Sequence, residues 1–223
     1  MLAAVVCPHP PLLIPEVASG ASPELDDLRA ACDAALKVGL AAGPERVVLV
    51  GAGPTTAAWE PDAAGALAGF GLPGPPAELP LSLTVGRWLL DRAGWDGPRA
   101  LHSIAADADL AACAALGESL TPGPPALLLV LGDASARRSA AAPGHLDDRA
   151  AGFDAAVAAA LAAADVDALL GLDVALAHQL MAAGRPAWQV LAGAARGSSW
   201  QATLHADVAP YGVGYLVASW LRV

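Results

Sequence analysis

The chain of 223 residues contains no asparagine and a single lysine, Lys37, while alanine, glycine and proline abound. A GC-rich coding sequence accounts for this bias, so alanine runs carry less structural information here than they would elsewhere. Cysteine is scarce too. Cys7, Cys32 and Cys113 are too widely spaced for a zinc knuckle, and their odd number argues against a secreted disulfide frame. Reduced thiols are expected, with Cys32 and Cys113 buried. No apolar stretch reaches about 18 residues before Asp, Glu, Arg or a Pro/Gly cluster cuts it, which excludes a membrane-spanning helix. The opening residues, Met1–Val6, carry no basic segment and run into Cys7-Pro8-His9-Pro10-Pro11. That reads as a strand and a tight loop rather than a secretory leader, and the expected location is the cytoplasm. Basic charge is the last deficit: 22 acidic residues against 12 basic ones give a net charge of −10. Such a surface repels phosphate backbones and anionic lipid, so neither nucleic acid nor membrane is expected as a partner.

What is present is hydrophobic. A 56% apolar fraction rules out wholesale disorder. It also leaves more apolar area than a small monomer usually hides, which points to a homo-oligomer, most simply a dimer. The length fits one α/β domain spanning residues 1–223. Leu2–Val6, Arg46–Gly51, Arg99–Ile104 and Ala126–Gly132 are apolar runs of strand length, continuous rather than alternating, as in strands covered on both faces. Helices are expected between them. One opens at Ser22-Pro23, with Ser22 as N-cap and Pro23 in the first turn, and runs to about Ala42. Others fall at Val85–Ala93, Asp109–Leu120, Asp148–Ala163, Asp173–Ala183 and Pro186–Ala195. Gln201–Ala206 reads as a strand, and Gly212–Trp220 as a short helix or strand. The Gly/Pro-rich stretch from Gly65 to Pro80 reads as a long surface loop. This alternation is that of a three-layer α/β domain.

Three segments concentrate chemistry, each at an expected strand end, where open α/β sheets bind ligands. His9 stands between Pro8 and Pro10, which restrict the backbone on both sides; it is the candidate catalytic or metal-binding histidine. In Gly51-Ala52-Gly53-Pro54-Thr55-Thr56, the glycines Gly51 and Gly53 would admit a ligand to the backbone and Thr55 could donate a hydrogen bond. The segment is neither a Walker A loop nor a dinucleotide fingerprint. In Gly132-Asp133-Ala134-Ser135-Ala136-Arg137-Arg138, Asp133, Ser135 and Arg137 form an acid, hydroxyl and guanidinium set suited to a carboxylate or a metal-bound water. The alternative is a solvated loop with locally paired arginines. His102, His178 and His205 fall within expected elements and read as structural, whereas His145, in a Pro-Gly loop, is a further candidate. Trp188, Trp200 and Trp220 read as packing residues.

Taken together, Cys7–Val17, the Gly132-Asp133-x-Ser135 segment and Pro210-Tyr211-Gly212-Val213-Gly214-Tyr215 resemble the class III extradiol dioxygenase B-subunit family. That family includes protocatechuate 4,5-dioxygenase beta-subunit-like and Memo-like proteins; short actinobacterial members are the most similar. The resemblance covers nearly the whole chain and implies an α/β/α sandwich around a mixed, mostly parallel sheet. It also implies an Fe(II) held by two histidines and a carboxylate, with a further histidine as acid/base. Only His9 matches. The second ligand falls on Ala52, the acid/base histidine on Ala136, and the third ligand on Ala183. One imidazole cannot hold Fe(II) against water. The expectation is therefore a dioxygenase-like protein with a degenerate iron site and no cofactor, binding a small molecule at the strand ends with His9 and Asp133 as reactive groups. Two alternatives follow from the same resemblance. One is ring cleavage with Fe(II) in a rearranged site that recruits Asp133, His145 or Glu16; the other is a non-catalytic regulatory or scaffold subunit.

Overall fold

The computed structural model describes residues 1–65, 67–74 and 78–223. Among these residues seven strands form one mixed sheet: β1 (Ala3–Cys7), β2 (Arg46–Gly53), β3 (Ala57–Trp59), β4 (Arg99–Ala105), β5 (Ala126–Leu131), β6 (Trp200–Val208) and β7 (Tyr215–Arg222). Their order across the sheet is β3-β4-β2-β5-β1-β7-β6. The four central strands β4, β2, β5 and β1 run parallel, and antiparallel β3 and β7-β6 close the two sides.

Strands β1, β2 and β5 are largely apolar on both faces, and the sheet divides their side chains between two cores. Ala4, Val6, Val48, Val50, Leu128 and Val130 pack with helices α4 (Leu110–Leu120), α5 (Arg149–Ala163), α6 (Val166–Leu170) and α8 (Arg185–Ala195). Val5, Cys7, Val47, Leu49, Leu127 and Leu129 pack with α2 (Asp26–Ala41) and α3 (Leu81–Arg92) on the other side. Burying each Leu or Val fully is worth about 1.5–3 kcal/mol, so a strand that buries both faces is driven to the middle of the sheet. The expected three-layer sandwich, mixed and mostly parallel, is the fold observed. On the α4/α8 side the helices cross at two glycines. A methyl group on Gly117 would run into the Val190 carbonyl, and one on Gly193 would sit 2.5 Å from the Ala114 carbonyl oxygen.

Several boundaries differ from the sequence expectation. Ser22 and Pro23 do not cap a helix; they lie in 3₁₀ turns spanning Ser19–Leu25, and α2 starts at Asp26. The cause is Arg29, buried and bonded to Leu13 O (3.1 Å), Ser22 Oγ (3.1 Å) and Asp26 (2.7 Å), which occupies the hydroxyl a cap would need. Helix α3 opens directly after Pro80, four residues early. The helix expected over 173–183 is only α7 (Val174–Gln179), because Met181 turns left-handed at φ 56°. The ambiguous Gly212–Trp220 stretch supplies β7, deep in the sheet between β1 and β6. Strand β3, helix α6 and the four-residue helix α1 (Pro15–Ala18) were not anticipated. Of the Gly65–Pro80 stretch, residues 66 and 75–77 lie outside the described residues. Its ends are pinned together, with Glu78 N and Leu79 N both donating to Ala64 O at 2.9 and 3.1 Å. No helix among the described residues is long and apolar enough to cross a membrane.

Candidate functional site

Register places the strand ends side by side. Cys7 and Gly51 both stand beside Leu131, and Gly51 stands beside Ser103, so β1, β5, β2 and β4 deliver their following loops to one edge. His9 and Asp133 each lie two residues beyond the paired Cys7 and Leu131. The segment after β1 packs on the α2 face and the segment after β5 on the α5 face, the kind of topological switch point at which open α/β sheets bind ligands.

Proline dictates how His9 is held. Of Pro8, His9, Pro10 and Pro11, only His9 has a backbone N–H, and it donates to Asp133 Oδ1 at 2.7 Å. The same carboxylate oxygen lies 3.6 Å from His9 Nδ1; the two side chains are 10% and 16% exposed. At that distance no hydrogen bond forms, and Nδ1 is buried with no partner among the described residues. A buried polar nitrogen left unsatisfied is uncommon and points to a missing water or ligand. Burial pushes the Asp133 carboxyl above the usual carboxylate range, and the His9 ring and its backbone N–H oppose that shift. Asp133 also ties in a third segment, since its carbonyl accepts from Gly184 N at 2.8 Å.

The rest of the Asp133–Arg138 loop is turned inward. Ser135, fully buried, donates from N (2.8 Å) and Oγ (2.9 Å) to Asp154, which also receives Arg138 Nη1 at 3.1 Å. Ser135 is thus a structural hydroxyl, not a free site group, because Asp154 on α5 takes both of its donors. Ala134 N and Gly214 N complete a two-way pairing with Gly214 O and Ser135 O, each 2.8 Å long. Arg137 makes no ion pair among the described residues, and its buried Nε has no partner. Only Arg138 fits the expectation of locally paired arginines.

The glycine turn is also differently placed. Strand β2 continues through Gly53, paired with Ala105, so Gly51 and Gly53 are sheet residues. A Cβ on Gly51 would sit 2.5 Å from Ser82 Oγ, and one on Gly53 would sit 2.9 Å from the Ser103 Cβ; both glycines serve packing. Thr55 is exposed and contributes its carbonyl to Ser103 Oγ at 2.7 Å. His205 Nε2 meets Ser219 Oγ at 2.8 Å, and His178 is exposed on α7. His145 holds a left-handed backbone at φ 57°, with Nδ1 3.4 Å from Ala140 O. Trp188 and Trp220 are core residues, and all three cysteines are buried and free.

Tyr215 was missed as a site residue. It opens β7, the strand paired with β1, whose chain runs on from Cys7 to His9. Tyr215 is buried, and its phenol is pushed well above its ordinary value by burial, then by the charge of Asp133 and by Tyr211. The sequence signal was the Pro210–Tyr215 segment itself, read there only as part of a resemblance.

The three alanines at the expected ligand positions diverge. Ala136 is buried and donates its N–H to Leu180 O (3.0 Å), while Ala52 is half-buried with its carbonyl accepting from Ser82 Oγ (2.7 Å). Ala183 lines a hollow of about 740 Å³ between the loop after β4 and the α7–α8 turn. A facial set of two histidines and a carboxylate does not fit here. Among the described residues no three His, Cys, Asp or Glu side chains are placed to hold a metal ion.

Comparison with known proteins bears on the fold alone. No protein-family model matches the chain, and no curated protein matches it. Among solved structures, the crystal structure of an uncharacterized protein from Escherichia coli K12 is similar, with a TM-score of 0.58 at 15% identity. The match covers 99% of this chain and 100% of that one.

Proposed function

We propose that a small organic molecule binds where β1 and β5 end and that His9, backed by Asp133, exchanges a proton with it. The protein would then be an extradiol dioxygenase B-subunit-like chain whose iron site has been vacated and whose chemistry is non-oxidative. The observation that carries this reading is the His9 Nδ1 atom, buried and without a partner among the described residues, 3.6 Å from a desolvated carboxylate at the strand ends. A carboxylate in that position can steady an imidazole as it gains a proton, the arrangement a general acid/base needs. Loss of donors at Ala52, Ala136 and Ala183 supports a non-metal route. On this reading the protein works in the cytoplasm as a homodimer.

The test is direct. Ring resonances of His9 are followed by NMR during titration with a panel of catechols, aromatic acids and amides, in wild type and His9→Ala. At least one class of compound should move the His9 signals. His9→Ala should abolish its binding at a stability cost of about 1 kcal/mol, because the backbone bond to Asp133 survives the truncation. If compounds bind elsewhere and leave His9 unmoved, or if His9→Ala unfolds the chain without changing affinity in the folded fraction, His9 is a turn residue and the proposal fails.

A further inference from the structure

Among the described residues two arginines are more than nine-tenths buried, Arg29 and Arg185. Arg29 is neutralised by Asp26 at 2.7 Å. Arg185, 2% exposed, makes no ion pair within 4 Å among the described residues and donates there only to neutral groups. These are Ala106 O (2.8 Å), Ala108 O, Gln189 Oε1 (3.0 Å) and the Cys113 sulfur (3.8 Å). A buried charge is normally paired, because desolvating an ion without a counter-charge costs several kcal/mol. Burial accordingly works against this guanidinium's charge. Nη1 carries three of the four contacts and Nη2 one, so Nε–H and a second Nη2–H have no acceptor among the described residues. Nε–H together with the Nη2–H on its own side is the edge a carboxylate meets side-on.

The free edge belongs to a residue that lines the hollow of about 740 Å³ described above. Val174, Ala175, Ala177, Met181 and Ala183 give it apolar walls, a size and character suited to a small ligand. Asp107, exposed, also lines it but lies beyond ion-pair distance of the guanidinium. The net charge of −10 disfavours ligands carrying several negative charges.

We infer that this hollow binds a monocarboxylate with a flat apolar body, its carboxylate on Arg185 and its body against the alanines of α7 and the α7–α8 turn. The inference stands apart from the His9 site, since neither His9 nor Asp133 lines the hollow. Asp107 and Asp109 favour the charge from beyond ion-pair distance, and the ligand supplies the direct ion pair that the fold leaves out.

The experiment is calorimetric titration of the full chain with 2-naphthoate and with uncharged 2-naphthamide. The acid should bind at least about tenfold more tightly than the amide in wild type. Arg185→Gln should erase that preference. Arg185 also fastens α8 to the loop after β4, so this variant can fail to fold. Ala175→Trp therefore provides the second test: it fills the hollow from an exposed position on α7 and leaves the guanidinium untouched. It should abolish binding of both compounds with the thermal midpoint unchanged. Equal affinity for acid and amide, no binding of either by wild type at millimolar concentration, or undiminished naphthoate binding by Ala175→Trp would each overturn the inference.

Discussion

Asp154 is the fastening of the loop that carries Asp133, and its removal has a size that can be worked out. Truncation to Ala strips the acceptors from Ser135 N–H and Oγ–H, both on a residue without exposed surface, and frees Arg138. Each buried donor left unsatisfied costs about 1–3 kcal/mol, so the pair costs about 2–6 kcal/mol. Against this, burial raises the Asp154 carboxyl, and deleting it recovers part of that desolvation. The net loss for Asp154→Ala should be about 2–4 kcal/mol. Asp154→Asn keeps an acceptor for one Ser135 donor and loses the pair with a 29%-exposed Arg138, worth no more than about 1 kcal/mol. It should cost roughly half as much as the alanine change. Urea denaturation followed by tryptophan fluorescence reads both, since Trp188 and Trp220 are buried and report on global unfolding. An alanine variant within about 0.5 kcal/mol of wild type, or an asparagine variant less stable than the alanine one, would refute the reasoning.

Other outcomes follow from the same geometry. Gly184→Ala drives a methyl group into the Trp188 ring, with Cε2 only 2.6 Å away, and should destabilise by about 1–3 kcal/mol in the same urea assay; a neutral result would show that Trp188 is not locked. Asp133 has a folded-state pKa raised by burial, so the native chain holds its proton longer than the unfolded one. That contribution is fully present at low pH and is lost as pH rises through the raised value. Stability of wild type relative to Asp133→Asn should therefore fall as pH rises above the ordinary aspartate value of about 4, and a pH-independent difference would contradict it. Light scattering at micromolar concentrations should show a dimer; a monomer throughout removes that expectation.

The sheet was legible because its central strands declare themselves chemically. Ala126–Leu131 has no polar residue, and such a run is stable as a strand only when both faces are covered. Tyr215–Arg222 was ambiguous because Leu, Val, Ala and Trp fit a helix or a strand; the deciding factor is its pairing with β6, nearby in sequence, and with β1 at the other end of the chain. The helix over 173–183 ran too long because Leu180–Ala183 are helix formers with no stop signal before Gly184. What ends it is tertiary: Leu180 O accepts Ala136 N, and Met181 turns left-handed. At the site, His9 and Asp133 could be picked out because prolines and strand ends flag them locally. Ser135 could not be classified, since its partner Asp154 sits 19 residues on. The burial of Arg185 depends on carbonyls 77 and 79 residues earlier, and nothing in the sequence marks this arginine from the others.

The account rests on His9 facing an organic ligand rather than a metal. The measurement that tests it most directly is a crystal structure of the chain grown anaerobically with Fe(II), soaked with the compounds that move the His9 resonances, and recorded at the iron edge. The account predicts electron density for a water or an organic molecule within hydrogen-bond distance of His9 Nδ1, and no anomalous peak beside it. An anomalous iron peak on His9 completed by two further protein ligands would contradict it.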